Sequence, residues 1–525
     1  MIVRDDTGTA ELAFFKFARE AQMPPGKRLL VSGKIDSFNG RVVIAHPDHV
    51  VPVEEPDRIP PLDPVWPLTA GLWPRQVANA VAQALARLPP LGEWQDAALL
   101  RREKWPAFAD ALRAVQAPTD GPPDPRMRAR LAYDEFLAGQ IALGLVRGKA
   151  KTRPGRALAG DSRLREAALA RFGHRPTESQ ARALAEIDAD MAAPRRMLRL
   201  LQGDVGSGKT LVAALAMLRA VEAGSQAALM APTETLARQH HRVLSRICPA
   251  PVALLAGSVK GRERARLLRA IADGSAPLIV GTHALFQDKV EYADLALAVI
   301  DEQHRFGVNQ RLTLGAKGEA TDVLVMTATP IPRTLLLTHW GEMEVSRLRG
   351  KPAGRQPIRT TLHSVGSLGA VVEGIARKLD EGASVYWVCP LVAESEALDI
   401  AAAEERYAML RQRFGDRVGI AHGRQTVDQR EAALAAFASG ATPLLVATTV
   451  IEVGVDVPQA TVMAIEHAER FGLAQLHQLR GRVGRGTEQS YCLLLHEDWV
   501  GQAARQRLTL LRDTEDGFRI ADEDF

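Results

Sequence analysis

Eight consecutive residues, Gly203-Asp204-Val205-Gly206-Ser207-Gly208-Lys209-Thr210, have the types and spacing to hold a polyphosphate. In the pattern G-x-x-x-x-G-K-[ST], glycines let backbone N–H groups converge on the phosphates, and a helix start adds its positive dipole end. Lys209 would then reach the β- and γ-phosphates, and the Thr210 hydroxyl would hold Mg²⁺. The apolar run Met197 to Leu201 and the alanine-rich run Leu211 to Ala220 supply the strand and helix that such a loop must join. A glycine-rich turn of some other α/β domain is the competing reading, and the full match between the correct two elements disfavours it.

A second group completes a hydrolytic site. The run Leu295 to Ile300 ends in Asp301-Glu302-Gln303-His304, a carboxylate pair at a strand end, where α/β folds bind ligands. Asp301 would coordinate Mg²⁺ and Glu302 would polarise the attacking water. A solvated acidic turn is the ordinary reading of a bare Asp-Glu pair, but the phosphate loop upstream argues against it. Thr327 and Thr329, after the next apolar run, could sense the γ-phosphate. Gln478 to Gly486, with Arg480, Arg482 and Arg485 on glycine-flexed backbone, suits arginines inserted against a transferring phosphate. An RNA-binding run or an exposed basic turn competes, although the buried run Tyr491 to Leu495 follows directly.

The elements that must position these groups read as α/β. Apolar runs at 227–230, 278–280, 295–300, 323–326, 385–388, 444–446, 461–465 and 491–495 alternate with helical segments, as in parallel sheets covered on both faces. Gly350 to Arg359, rich in Gly, Pro and Arg, suggests a boundary between two lobes. The first 50 residues read instead as short strands, Thr9 to Phe17, Arg28 to Ile35 and Arg41 to Ala45, with Met1 to Arg4 ending another. Phe14, Phe15, Phe17 and Phe38 among Lys16, Lys27, Lys34 and Arg41 fit either an OB-like base-stacking platform or a plain core. Val51 to Pro67 reads as a linker, Arg126 to Arg147 as a helix, and Arg147 to Arg156 as a basic loop, either solvated or touching phosphate. The expected domains are 1–55 (partial OB-like wedge), 56–160 (linker and helical segment), 161–349 (ATP-binding lobe) and 350–525 (second lobe).

Composition bounds the rest. A chain of 525 residues, 46% hydrophobic and 24% charged, can build several ordinary globular domains. A net charge of only +4 with a pI near 9.0 is compatible with a polyanionic partner without establishing one. Cys248, Cys389 and Cys492 stand too far apart for zinc spacing or a disulfide framework and read as small buried hydrophobes in a reducing cytosol. No run of 18 apolar residues occurs, which argues against a membrane span.

Taken in order, Gly203 to Thr210, Ala231 to Leu236, Gly281-Thr282-His283, Asp301 to His304, Thr327-Ala328-Thr329, His422-Gly423-Arg424, Thr448 to Asp456 and Gln478 to Arg485 resemble the ordered motif set of superfamily 2 helicases. Leu200 to Thr210, Asp301 to Gly307 and Thr327 to Thr334 resemble the RecG family of branched-DNA helicases, and the start, with Val31 to Lys34 and His46-Pro47, resembles that family's wedge. The resemblance covers essentially the whole chain. It implies two RecA-like lobes with ATP and Mg²⁺ between them, and DNA-stimulated ATP hydrolysis that remodels forks and Holliday junctions in recombination and repair. Residue by residue, Gln180 matches a glutamine that reads adenine, with Phe172 packing on the ring. Thr233, Arg238, Thr282 and His283 match motifs along the nucleic-acid backbone, where helix capping and strand-end packing are the plain alternatives. His304 and Gln478 match positions that couple the nucleotide site to the facing lobe, Arg482 and Arg485 match finger arginines, and Gly454 and Asp456 match a motif contacting both nucleotide and nucleic acid.

The resemblance further implies branched and duplex DNA as partners, contact with single-strand DNA-binding protein, a monomer, and a cytoplasmic, nucleoid-associated location. In this reading the family's N-terminal helical region and part of the wedge are missing, and Asp522 to Phe525 falls where the family continues into its translocation motif. ATP turnover would survive that loss, whereas its coupling to duplex movement would suffer. A polymerase-displacing duplex translocase, a nucleotide-switched junction-binding module and a small-molecule P-loop kinase are the competing functions. The wedge argues against the first and the second lobe against the last.

Overall fold

In the computed structural model, which describes residues 1–14, 23–38, 41–59, 62, 65–69, 71–118, 121–151, 154–287, 290–301, 320–327, 343–350, 356–390, 396–448, 457, 459–484, 486 and 488–524, the chain opens in short strands. These are β1 (Ile2–Arg4), β2 (Thr9–Ala13), β3 (Leu29–Ser32), β4 (Ile35–Phe38), β5 (Arg41–Ala45) and β6 (His49–Pro52). A mixed sheet of order β1-β2-β5-β4 stands beside the antiparallel ribbon β3-β6. Leu12, Met23 and Ile44 form its small core, with Phe14, Val31 and Val50 against it. Val51 and Pro52, expected to begin a linker, instead complete β6 opposite Leu30 and Leu29, because the Val51 side chain is buried there.

Four helices follow: α1 (Pro74–Ala86), α2 (Ala97–Glu103), α3 (Phe108–Gln116) and α4 (Pro125–Lys151). Arg130, fully buried on α4, is ion-paired to Glu93 and Asp134, and Gln95 donates to Asp134 at 2.6 Å. Helix α4 runs on through Lys151, where a basic loop was expected. Gly148 costs a helix only about 1 kcal/mol, so nothing in the sequence stops α4 before the restriction imposed by Pro154. Residues 1–139 form one compact unit and 140–525 another.

The second unit carries two parallel sheets. The first comprises α5 (Arg163–Phe172), α6 (Glu178–Met191), β7 (Leu198–Gly203), α7 (Lys209–Glu222), β8 (Gln226–Met230), α8 (Glu234–Ile247), β9 (Val252–Leu255), α9 (Gly261–Ala272), β10 (Leu278–Gly281), β11 (Leu295–Asp301), β12 (Asp322–Thr327) and β13 (Glu344–Leu348). Its strand order is β13-β7-β12-β11-β8-β10-β9. The second comprises β14 (Arg359–Ser364), α10 (Leu368–Asp380), β15 (Ser384–Val388), α11 (Glu396–Phe414), β16 (Val418–Ala421), α12 (Val427–Ala438), β17 (Leu444–Ala447), β18 (Ala460–Ile465), α13 (Leu473–Arg480), β19 (Tyr491–His496), α14 (Gln502–Asp513) and α15 (Gly517–Glu523), ordered β14-β19-β18-β15-β17-β16. This is the two-lobed α/β architecture expected.

Pleating explains the continuous apolar runs. Leu201, Leu229, Val299 and Met326 join one core with α7, while their neighbours Leu200, Ala228, Ala298 and Val325 enter a second core on the other face. Both faces are buried, so neither set of alternating positions can be polar. Cys248 is free and buried in the first-lobe core and Cys389 and Cys492 in cores of the second lobe, and burial pushes the Cys248 and Cys492 thiols up to about 12. Among the described residues no helix is long and apolar enough to cross a membrane.

Candidate nucleotide site

Strand β7 ends at Gly203, and residues 204–208 turn into α7 with Gly206 and Gly208 at φ 79° and 86°. Gly208 is both the α7 N-cap and the point of closest approach to α6. A Cβ there would collide with Gln180 Nε2 as well as strain the left-handed backbone. Gln180 is buried on α6 and uses both ends of its amide. Its Oε1 accepts from Thr177 N at 2.9 Å, closing a capping box, and its Nε2 donates to the Ser207 carbonyl at 2.8 Å. The helix cap therefore braces the phosphate loop. Lys209 Nζ donates to the carbonyls of Gly203 and Asp204 at 2.6 and 2.9 Å, which holds its ammonium across the loop mouth. Ser207 Oγ is buried there without a hydrogen-bond partner among the described residues.

Asp301 closes β11, two strands from β7 in the same sheet, at the same carboxyl edge. It is 9% exposed, and its Oδ2 lies 2.7 Å from His240 Nε2 on α8. A carboxylate held by a histidine at a strand end, with Thr210 in the first turn of α7, is an all-oxygen donor set of the kind that suits Mg²⁺.

The second lobe reaches this loop. Asp204 Oδ1 lies 3.2 Å from His477 Nε2 on α13, and Asp204 Oδ2 accepts from Gly517 N at 3.3 Å. Burial pulls the Asp204 carboxyl upward, but the His477 hydrogen bond, the Gly517 N–H and the Lys209 ammonium outweigh it and leave the carboxyl below the usual carboxylate range. Gly481, just past α13, packs so closely that a Cβ would stand 2.9 Å from Val205 Cβ. The turn carrying Arg482 is thus seated on the phosphate loop, with Gln478 half-buried beside it. Phe518 lies under Arg347 and Arg349 of the first lobe, 5.7 and 6.0 Å from their guanidinium carbons.

The residues expected to meet nucleic acid divide. Thr233 caps α8, accepting from Leu236 N at 3.3 Å, and Arg238 pairs with Glu234 at 2.8 Å. Thr282 is buried and His283 exposed at the end of β10. Strands β8 and β10 are adjacent, so all four residues share the carboxyl edge of one sheet. Phe14 packs on the small N-terminal core, the plainer of the two roles its sequence allowed. Phe172 closes α5, half-buried against the first-lobe core and 5.9 Å edge-on from His174. Phe15, Glu302, His304, Thr329, Gly454, Asp456 and Arg485 lie outside the described residues, as does the Phe38 side chain.

Three residues at the site went unread in the sequence, His240, His477 and Gly517, and a fourth, Arg480, is buried away from the phosphates it was read as facing. Arg480 stands inside the arginine-glycine run already singled out, but nothing in its type told it from Arg482. It is 2% exposed and donates to the carbonyls of Leu511 and Thr514, the latter at 2.9 Å.

The chain resembles known proteins along most of its length. Residues 177–337 match the DEAD/DEAH box helicase family and residues 370–487 match the helicase conserved C-terminal domain. The chain is 43% identical to the ATP-dependent DNA helicase RecG of Acidithiobacillus ferridurans, over 99% of this chain and 77% of that one. It is 40% identical to RecG of Escherichia coli strain K12, over 99% and 78%. A solved structure of RecG bound to a three-way DNA junction covers all of this chain, and 71% of its own, with a TM-score of 0.72 at 35% identity. S. cerevisiae Dbp5 bound to RNA and ADP BeF3 shares the fold over 70% of this chain and 94% of its own, at 18% identity and a TM-score of 0.52.

Proposed function

The chain belongs to the RecG family of ATP-dependent DNA helicases, and we propose that it spends ATP at the Gly203–Thr210 loop to remodel branched DNA, replication forks and four-way junctions, in recombination and repair. The observation that carries this reading is the seating of an arginine-bearing turn of one lobe on the phosphate loop of the other, through Gly481 and Val205. A phosphoryl transfer needs positive charge delivered around the γ-phosphate, and a charge supplied from a second lobe makes hydrolysis depend on lobe closure.

In this mechanism the loop backbone and Lys209 hold the phosphates, Lys209 exchanging its two carbonyls for phosphate oxygens. Gln180 retains one N–H and one lone pair after its two bonds, enough to read an adenine edge, with Phe172 nearby on α5. Thr210 and Asp301 would hold Mg²⁺, which neutralises charge on the transferring group when bound. Glu302 polarises the attacking water, Arg482 and Arg485 act as finger arginines, Gln478 couples the site to the facing lobe, and Gly454 and Asp456 serve both nucleotide and nucleic acid. Thr233, Arg238, Thr282 and His283 line a DNA track along the first lobe's carboxyl edge, and the 1–55 domain, with Phe15 and Phe38, acts as the wedge. Residues 56–160 link it to lobes spanning 161–349 and 350–525. A monomer working on forks in the cytoplasm, close to the nucleoid and to single-strand DNA-binding protein, completes the proposal.

ATP turnover measured with a three-way junction, with linear duplex and without DNA tests it. Strongest stimulation by the junction, and no turnover in Lys209→Ala, are expected. Equal stimulation by linear duplex would favour a simple translocase, and turnover indifferent to DNA would overturn the motor reading.

A further inference from the structure

We infer that Asp204, although it belongs to the phosphate loop, serves through its side chain as a positioning residue that registers the second lobe by way of His477 and Arg480. The inference rests on the nucleotide site proposed above and gives it His477 and Gly517, which no motif marked.

Hydrogen-bonding capacity fixes the arrangement. Arg480 Nη2 lies 3.0 Å from His477 Nδ1, and a guanidinium has donors only, so Nδ1 must be the unprotonated, accepting nitrogen. The imidazole proton then sits on Nε2, which faces Asp204 Oδ1 at 3.2 Å, and a carboxylate accepts it. One side chain thus joins a donor-only group of its own lobe to an acceptor-only group of the other. Arg480 is itself immobilised by the carbonyls of Leu511 and Thr514. The second carboxylate oxygen takes the Gly517 N–H, and a Cβ on Gly517 would stand 2.6 Å from His477 Nε2 and overlap Asp204 Oδ1.

Asp204 also faces inward, because its carbonyl accepts from Lys209 Nζ at 2.9 Å. An unbroken set of polar contacts therefore runs from the phosphate-binding lysine, through Asp204 and His477, to Arg480 and the end of α14. When Lys209 turns to a polyphosphate it gives up the Asp204 carbonyl, and the peptide that carries the interlobe carboxylate is released with it. Arg482 lies five residues beyond His477, just past the Gly481 contact, so fixing α13 fixes the direction from which that arginine approaches. The contact should therefore govern kcat and leave nucleotide affinity alone.

The experiment uses the full chain with His477→Ala, His477→Gln and Asp204→Asn, measuring kcat and KM for junction-stimulated ATP hydrolysis and Kd for a fluorescent ADP analogue. Misplacing the arginine-bearing turn should lower kcat in His477→Ala about 10- to 100-fold, with the ADP Kd changed less than about 2-fold. His477→Gln, whose amide can accept from Arg480 and donate to Asp204, should recover to within about 3-fold of the parent. The double variant His477→Ala with Asp204→Asn should be no slower than His477→Ala alone, as residues acting in one contact are non-additive. Asp204→Asn keeps the volume and one acceptor, so it decides the matter should His477→Ala fail to fold. Parental kcat in Asp204→Asn overturns the proposal, and so does an ADP affinity lost with kcat intact, which would make Asp204 a nucleotide ligand. Lys209→Ala separates the two levels: turnover there removes the nucleotide site itself, whereas an inactive Lys209→Ala beside fully active His477 variants removes only the positioning role.

Discussion

The brace between α6 and the phosphate loop can be tested by an isosteric change, Gln180→Glu. The Oε1 that accepts from Thr177 N is kept, so the helix cap survives. The Nε2 that donates to the Ser207 carbonyl is replaced by an oxygen facing an oxygen at a site 4% exposed. Losing that bond and leaving a buried acceptor unpaired costs about 1–3 kcal/mol, or roughly a 5- to 150-fold loss if it falls on the loop's nucleotide-bound shape. The new carboxyl is desolvated, so its pKa rises and it takes up a proton more readily than in water. Once protonated it carries an O–H that can donate to the Ser207 carbonyl and rebuild the brace. The folded-state pKa being raised, the brace is present at low pH and lost as pH rises through that value. ADP affinity by calorimetry at pH 6 and pH 8.5 should therefore show a small defect in acid and a large one in base, while Gln180→Ala shows the same defect at both. Parental affinity at pH 8.5 in a folded variant, or a loss independent of pH, would refute the reasoning.

Two further outcomes follow. Asp322 opens β12 with its Oδ1 accepting from Met197 N at 2.7 Å, and burial raises its carboxyl to about 7 against the Met197 and Arg196 contributions. Such a group gives stability that is present below its unfolded pKa and lost as pH climbs through the folded one. Asp322→Asn, which keeps the acceptor, should therefore raise the melting temperature at pH 8, by an amount corresponding to roughly 2–4 kcal/mol, and change it little at pH 4. An equal effect at both pH values would dismiss the buried-carboxyl account. Arg482→Ala should bind ADP like the parent yet hydrolyse ATP about 10³-fold more slowly, as for an arginine supplied across an interface. Equal turnover in a rapid-quench assay would remove Arg482 from the reaction.

The chain's own chemistry determined the phosphate loop, the order of the motifs and the interior strands. Gly206, Gly208 and Lys209 can be read because their roles depend on backbone freedom and a charge at fixed spacing, which are local properties. Strands β7, β8, β10, β11 and β12 of the first sheet, and β15, β17, β18 and β19 of the second, announce themselves as apolar runs because neighbours cover both faces. Within these two sheets the strands that went unread, β9, β13, β14 and β16, are the four edges. Glu344-Val345-Ser346-Arg347-Leu348 and Arg359-Thr360-Thr361-Leu362-His363-Ser364 are only partly buried, and a half-covered strand keeps polar residues that erase the run. Tertiary structure alone decided which polar side chains meet. Asp301 finds His240 across 61 residues and Asp204 finds His477 across 273, and no periodicity spans such gaps. Before folding, Arg480 and Arg482 are the same residue type two places apart. Helix α13 ends on Arg480 and points it into the second lobe's core, and leaves Arg482 on the turn that rests against the phosphate loop.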